Sequence, residues 1–324
     1  MTNMEIYKKT LPFSLRRFLF DTLSFLILGG LATAGFLLMD KANGKGLVGL
    51  AIGLLIGIIL LVFILRYASY TYKAGQIAMM TKGVTEGELS GNVLKEGQAI
   101  VKQRFLTVSL YFVVTGVIKG IFNQLSRALN TVGRSVDGET GGNVADAISF
   151  AINVVVGYLC DCCLGWVFYR KEQNAAKATC EGAVLFFKHG KTLIKNLGRV
   201  FAFGLLSLLV IGGAFFGVFY LIFSRIPQTV FAPLTNEIAD ALAKSESGIA
   251  EVLRKPEMVP VVFAALTAVI LWSILHSVFV RPFVLVGVLR NYIESGVNDI
   301  PTEASFSMLD SKSSKFRKLH TEGI

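Results

Sequence analysis

Six long apolar runs constrain this chain more than anything else in it. They lie at about 18–39, 47–69, 105–123, 147–169, 200–224 and 258–280. At about 1.5 Å rise per residue, each is long enough to cross a hydrocarbon core of roughly 30 Å as a helix. With the N-terminus on the cytoplasmic side, the four segments then called cytoplasmic hold 23 of the 32 Lys and Arg residues, and the other 9 sit in or beside three external loops. That skew is the positive-inside pattern. The expected fold class is all-α: a polytopic membrane protein with six transmembrane helices plus cytoplasmic interfacial amphipathic helices. The expected location is the cell membrane, multi-pass, with both termini cytoplasmic.

Charged residues make up only 17% of the chain, fewer than a soluble domain of this length carries, and the mean hydropathy is +0.60. Six helices use about 130 residues, which leaves no room for a separate soluble enzyme domain. Residues 1–290 are therefore read as one transmembrane domain and 291–324 as a cytoplasmic tail. The net charge of +10 does not point to nucleic acid, because the basic residues are spread over every cytoplasmic segment with no patch interleaved with aromatics. It fits topology retention and attraction to anionic lipid headgroups. The first run is too long for the apolar core of a cleavable leader, so it is expected to remain as an anchor.

The segments between the runs have their own patterns. Pro12 and Ser14 are expected to break a basic lead-in just before the first run. Gly49, Gly53 and Gly57 lie four apart in the second run, on one helical face, where they permit close approach of another helix, within the chain or from a second copy in a homo-oligomer. Glu96 to Arg104 reads as a short amphipathic helix on the membrane surface. Residues 124–146 read as a Gly-, Ser- and Asn-rich external loop. In the large external loop 225–257, Val230, Leu234, Ile238 and Leu242 recur every four residues and predict a helix. A faint internal repeat matches Lys9, Leu15, Arg17 and Gly30 with Lys191, Leu197, Arg199 and Gly212 without a gap. It suggests parallel units, each a basic feeder followed by a hairpin.

Ionisable residues at membrane depth are costly and point to function. Asp161 interrupts the fourth run, nine residues or about 13 Å of helix before Arg170. A lone carboxylate there needs a partner or must be protonated. His276 in the sixth run is one partner within reach of the sequence. Tyr158, Trp166 and Trp272 add aromatic faces, and a carboxylate with aromatic faces suits an organic cation. The alternatives are a structural interhelical bond for Asp161 and interface anchoring for the aromatics. Cys160, Cys162 and Cys163 beside Asp161 are read as small apolar packing residues, and no metal is assigned. Gly190-Lys191-Thr192 mimics the end of a phosphate-binding loop, but Leu185 stands where its first glycine is required. No motif of a hydrolase, metalloprotease or redox enzyme is present. The chain is read as no enzyme, with no cofactor.

Asn174-Ala175, followed by Leu193-Ile194-Lys195-Asn196-Leu197-Gly198-Arg199-Val200, is similar to a segment of the choline transporter-like family, as are Ala304-Ser305-Phe306-Ser307-Met308 and the basic end Lys315 to Leu319. The resemblance covers roughly 158–320. The spacing between the first two motifs is about one helical turn shorter here, and the family's large external loop after its first helix is absent. The resemblance implies transport of choline or a related amine, and Asp161, His276, Trp166, Tyr158 and Trp272 are the residues expected to meet it. The alternative is a non-catalytic membrane scaffold or assembly module, with lipid as a partner.

Overall fold

The computed structural model describes the backbone of residues 1–324 except 90, 107, 135–141, 244–247 and 323–324. Among the described residues the chain is all helical. In order, the helices are α1 (Asn3–Asn43), α2 (Gly46–Ala68), α3 (Ala74–Thr85), α4 (Val93–Arg104), α5 (Val108–Arg134), α6 (Gly142–Tyr169), α7 (Ala175–Ser207), α8 (Gly213–Phe223), α9 (Ala232–Ala243), α10 (Gly248–Arg254), α11 (Val259–Leu275), α12 (Arg281–Asn298), α13 (Glu303–Asp310) and α14 (Ser314–Glu322). Three π-helical segments, Ser69–Lys73, Leu208–Gly212 and His276–Val280, interrupt what would otherwise be continuous helices. The loop expected at 124–146 is largely helix, since α5 runs to Arg134 and α6 starts at Gly142; 135–141 lie outside the described residues.

The chain divides into two compact units: Met1–Leu15, Ser69–Phe201 and Arg281–Ile324 form unit 1, and Arg16–Ala68 with Ala202–Val280 form unit 2. Each of the four passages between them falls within helical structure. The expected break at Pro12 is absent, because α1 runs through it. Gln76 steadies that turn: its amide donates to Ser14 Oγ at 2.9 Å and to the Thr10 carbonyl at 3.4 Å.

Four helical stretches are long and apolar enough to cross a membrane among the described residues, where six were expected: Asn3–Ala42, Gly46–Thr85, Val200–Phe223 and Pro256–Asn298. Within the fourth run the described apolar stretch is the shorter Val156–Tyr169. In unit 2, Leu38 and Phe63 are each 71% exposed and Leu209 is 66% exposed, as suits helices that meet lipid. The third and fourth runs belong to unit 1, where part of each is buried against protein. From Val156 to Tyr169 no side chain is exposed, and on α5 Tyr111, Val114, Ile118, Ile121 and Phe122 form a buried face at helical spacing.

Unit 1 packs around α3, α6 and α12, with Ile77, Met80, Trp166, Val167, Leu289 and Tyr292 in its core. Helix α3 is buried on nearly every side. Helix α4 has Asn92 as its cap, accepting from Lys95 N at 3.1 Å, and packs Gly97 and Val101 into the unit. An ion pair joins its Glu96 to Lys82 of α3. The tail is part of the core as well: Phe306, Leu309, Phe316 and Leu319 of α13 and α14 pack against Ile121, Ala176, Cys180 and Val184. In that hairpin His320 turns both ring nitrogens to carboxylates, Nδ1 to Asp310 and Nε2 to Glu303, each at 3.1 Å.

In unit 2 the turn between α1 and α2 is tight, with Gly44 at φ +67°. The glycine stripe of α2 faces α1, where Gly49 meets Gly35 and Gly53 meets the Leu31 backbone. That close contact is a use for the stripe within one chain. The helix predicted in the large loop is α9, and its Glu237 accepts from Leu47 N at 2.9 Å.

Candidate functional site

Asp161 of α6 is 95% covered on its side chain and holds two cations. Its Oδ1 accepts from Lys73 Nζ at 2.7 Å, and its Oδ2 accepts from Arg281 Nη2 at 2.6 Å. The same Arg281 Nη2 donates to the Gly157 carbonyl at 2.8 Å, and the guanidinium lies over the Tyr158 ring, 5.2 Å from its centre. A side chain at Gly157 would crowd the guanidinium, since a Cβ there would stand 3.1 Å from Nη2. Lys73 is the last residue of one π segment, and Arg281 follows directly on another. Burial alone would raise the pKa of Asp161, but Arg281 and Lys73 outweigh burial and hold it below the ordinary carboxylate range. The carboxylate with an aromatic face is therefore present, and the cation it holds is the chain's own Arg281.

Trp166 is used elsewhere in unit 1. Its Nε1 donates to Glu181 Oε2 at 3.0 Å, and the same oxygen accepts from Arg170 Nε at 3.1 Å and Gln173 Nε2 at 2.9 Å. Glu181, 3% exposed on its side chain, is thus a second buried carboxylate, its Oε2 held by three donors from the α6 end and the turn after it. It directly follows Cys180 in the chain, whose thiol burial pushes up to about 12. Among the described residues no three His, Cys, Asp or Glu side chains are grouped to hold a metal.

His276 and Trp272 belong to unit 2, where Ser207 joins them. Trp272 Nε1 donates to Ser207 Oγ at 3.1 Å, and His276 Nδ1 lies 3.0 Å from the same oxygen. Ser207 also reaches the Gly204 carbonyl at 2.8 Å. The rings of Trp272 and His276 are 5.2 Å apart at 39°. The five residues expected to form one site thus fall into three groups: Asp161 with Tyr158, Trp166 with Glu181, and Trp272 with His276.

Lys73, Arg281, Glu181 and Ser207 were not anticipated as members of these groups. Lys73 and Arg281 read as topology-setting charges at the ends of apolar runs, and Ser207 reads as one hydroxyl in a hydrophobic stretch. The one available signal was charge balance: a buried Asp161 demands a cation, and the nearest basic residues flanking the apolar runs include both that supply it. No family model matches the chain, and no curated protein or solved structure matches it.

Proposed function

We propose that this chain is a four-span membrane protein that acts as a non-catalytic module, its spans carrying a basic helical unit on the cytoplasmic side of the cell membrane. The observation that carries this reading is the saturation of Asp161. A carboxylate already paired with Lys73 and Arg281, and nearly closed to solvent, is a structural lock rather than an open cation site. The resident lysine and arginine would both have to leave before a substrate could use it.

Charge sidedness supports the four-span reading. By chain connectivity, four spans put residues 1–15, 69–201 and 281–324 on one side. Only Lys41, Lys45, Arg225, Lys244, Arg254 and Lys255 then lie on the other, six in place of nine. The same loops carry six acids, Asp40, Glu237, Asp240, Glu246, Glu251 and Glu257, so they are net neutral, while residues 1–15, 69–201 and 281–324 hold a net +8 of the chain's +10. Anionic lipid is the partner that face suits. Position 135 separates the two topologies, being external with six spans and cytoplasmic with four. A cysteine replacing Ser135 is expected to escape an impermeant maleimide in intact cells and to react after permeabilisation, while one replacing Ser245 reacts in both. Equal labelling of the two in intact cells would overturn the four-span reading.

Transport of choline or a related organic cation is the second reading. One observation favours it: Asp161 and Tyr158 already hold a flat cation between carboxylate and ring. Uptake of labelled choline into proteoliposomes separates the two. The module reading expects the rate of protein-free liposomes. Uptake above that rate sinks it, and uptake abolished by Asp161→Asn would assign the site to the substrate.

A further inference from the structure

Unit 2 holds a polar group that the module reading does not use. We propose that His276 is a proton-binding site within the membrane unit, and that its charge state sets the direction of the Ser207 hydroxyl and so the bonding of the α7 backbone.

The argument is a proton count around one oxygen. A serine hydroxyl has one proton to give and two lone pairs to receive with. Three groups lie within reach of Ser207 Oγ: the Gly204 carbonyl at 2.8 Å, His276 Nδ1 at 3.0 Å and Trp272 Nε1 at 3.1 Å. The indole N–H can only donate, so it occupies one lone pair. The carbonyl can only accept. The single hydroxyl proton then goes either to Gly204 or to His276, never to both. When the imidazole is neutral with Nδ1 bare, Ser207 donates to it and the Gly204 carbonyl loses that bond. Whenever Nδ1 carries a hydrogen it donates to the second lone pair of Ser207 and the hydroxyl proton turns to Gly204; we take the neutral ring to be protonated on Nε2, so that this state arrives with the charge.

The placement suits a switch. One π segment, Leu208–Gly212, starts directly after Ser207, and another, His276–Val280, starts at His276 itself. Single π turns inside helices are frequent at functional sites. Histidine is the side chain whose ordinary pKa lies within the physiological range, and ionisable groups at membrane depth are rare. The charged groups on the α1 side are Arg17, whose Nη2 donates to Ser277 Oγ at 3.3 Å, and Asp21 one turn further on. On α7 Ser207 and Gly204 lie against the ring, both uncharged. On its own helix the neighbours are Trp272 and Ser277, and the next cation along the chain, Arg281, is held by Asp161.

Trp272 is a built-in reporter, because an imidazolium at 5.2 Å quenches indole emission. The test is tryptophan fluorescence of the full chain in nanodiscs, titrated from pH 8 to pH 5. A single quenching transition is expected on acidification, lost in His276→Gln and shifted in midpoint by Ser207→Ala. A merely structural histidine would not move the pH profile. Should His276→Gln fail to fold, nitrogen NMR of the histidine rings in the parent chain carries the test, with His189→Gln and His320→Gln to assign the signals. There Nδ1 of His276 is expected to pass from bare to protonated between pH 8 and pH 5. Emission that does not depend on pH, a transition unchanged in His276→Gln, or an Nδ1–H ring at every pH would each overturn the proposal.

Discussion

Replacing Asp161 by Asn lowers the stability of unit 1 by about 2–4 kcal/mol, the cost of breaking a buried ion pair. Both cations remain after the change, and an amide offers one carbonyl oxygen where two charged oxygens stood. Lys73 and Arg281 are each 29% exposed on their side chains, so water compensates part of the loss, which keeps the figure toward the lower end of the range. The control is Glu322→Gln. That residue is 65% exposed and pairs with a Lys318 that is 75% exposed, so its loss costs under about 0.5 kcal/mol. Thermal unfolding in nanodiscs followed by circular dichroism should show the Asp161 variant melting about 5–10 °C lower and the control unchanged. Equal melting temperatures would remove the structural role given to this carboxylate.

The same residue sets a direction for pH. Its folded pKa lies below its unfolded one, because Arg281 and Lys73 overcome the opposing effect of burial. Its contribution to stability is therefore complete above the ordinary carboxylate pKa of about 4 and is lost as pH falls through the lower folded value. The Asp161→Asn variant should lose less stability than the parent chain over that acid interval.

How far the fold was legible follows from what hydropathy measures. A run of apolar residues records that side chains leave water, and lipid and protein core satisfy it equally. The runs at 18–39 and 147–169 therefore look alike, yet Leu38 is open to the surroundings and Trp166 is fully covered. A finer signal was present in the third run, where Tyr111, Val114, Ile118, Ile121 and Phe122 fall on one face and Lys119 is exposed. A helix surrounded by lipid has no need of that asymmetry. Asp161 stood out because an acid in an apolar run is costly wherever it lies. Its partners did not, because Arg281 is 120 residues away and no local pattern announces a contact of that range. Trp272 and His276 were legible as polar residues in an apolar run, while the hydroxyl that unites them depends on how α7 meets α11, which only packing decides.

The second large effect is expected at the glycines between α1 and α2, and it depends on what stands opposite each one. A methyl group at Gly53 would strike the Leu31 backbone, with the carbonyl carbon at 2.8 Å and Ala32 Cα at 3.1 Å. At Gly49 it would strike the Gly35 backbone and Met39 Cβ at 2.6 Å. Backbone cannot rotate away, so the helices must separate, and with them goes the close contact that holds small-residue helix pairs together in lipid. At Gly57 the obstacle is Leu28 Cδ1 at 2.7 Å, the far end of a flexible side chain that a rotamer change removes. Gly49→Ala and Gly53→Ala should therefore each destabilise unit 2 by about 2–3 kcal/mol, at the upper end for overpacking, and Gly57→Ala by under about 1 kcal/mol. The same unfolding measurement in nanodiscs reads the series. Because all three glycines lie on one face, a stripe serving a second copy of the chain would make the three variants fail together and in proportion to dimer loss by cross-linking. Unequal effects, ordered by backbone against side chain and without change in cross-linking, are the result that packing within one chain requires.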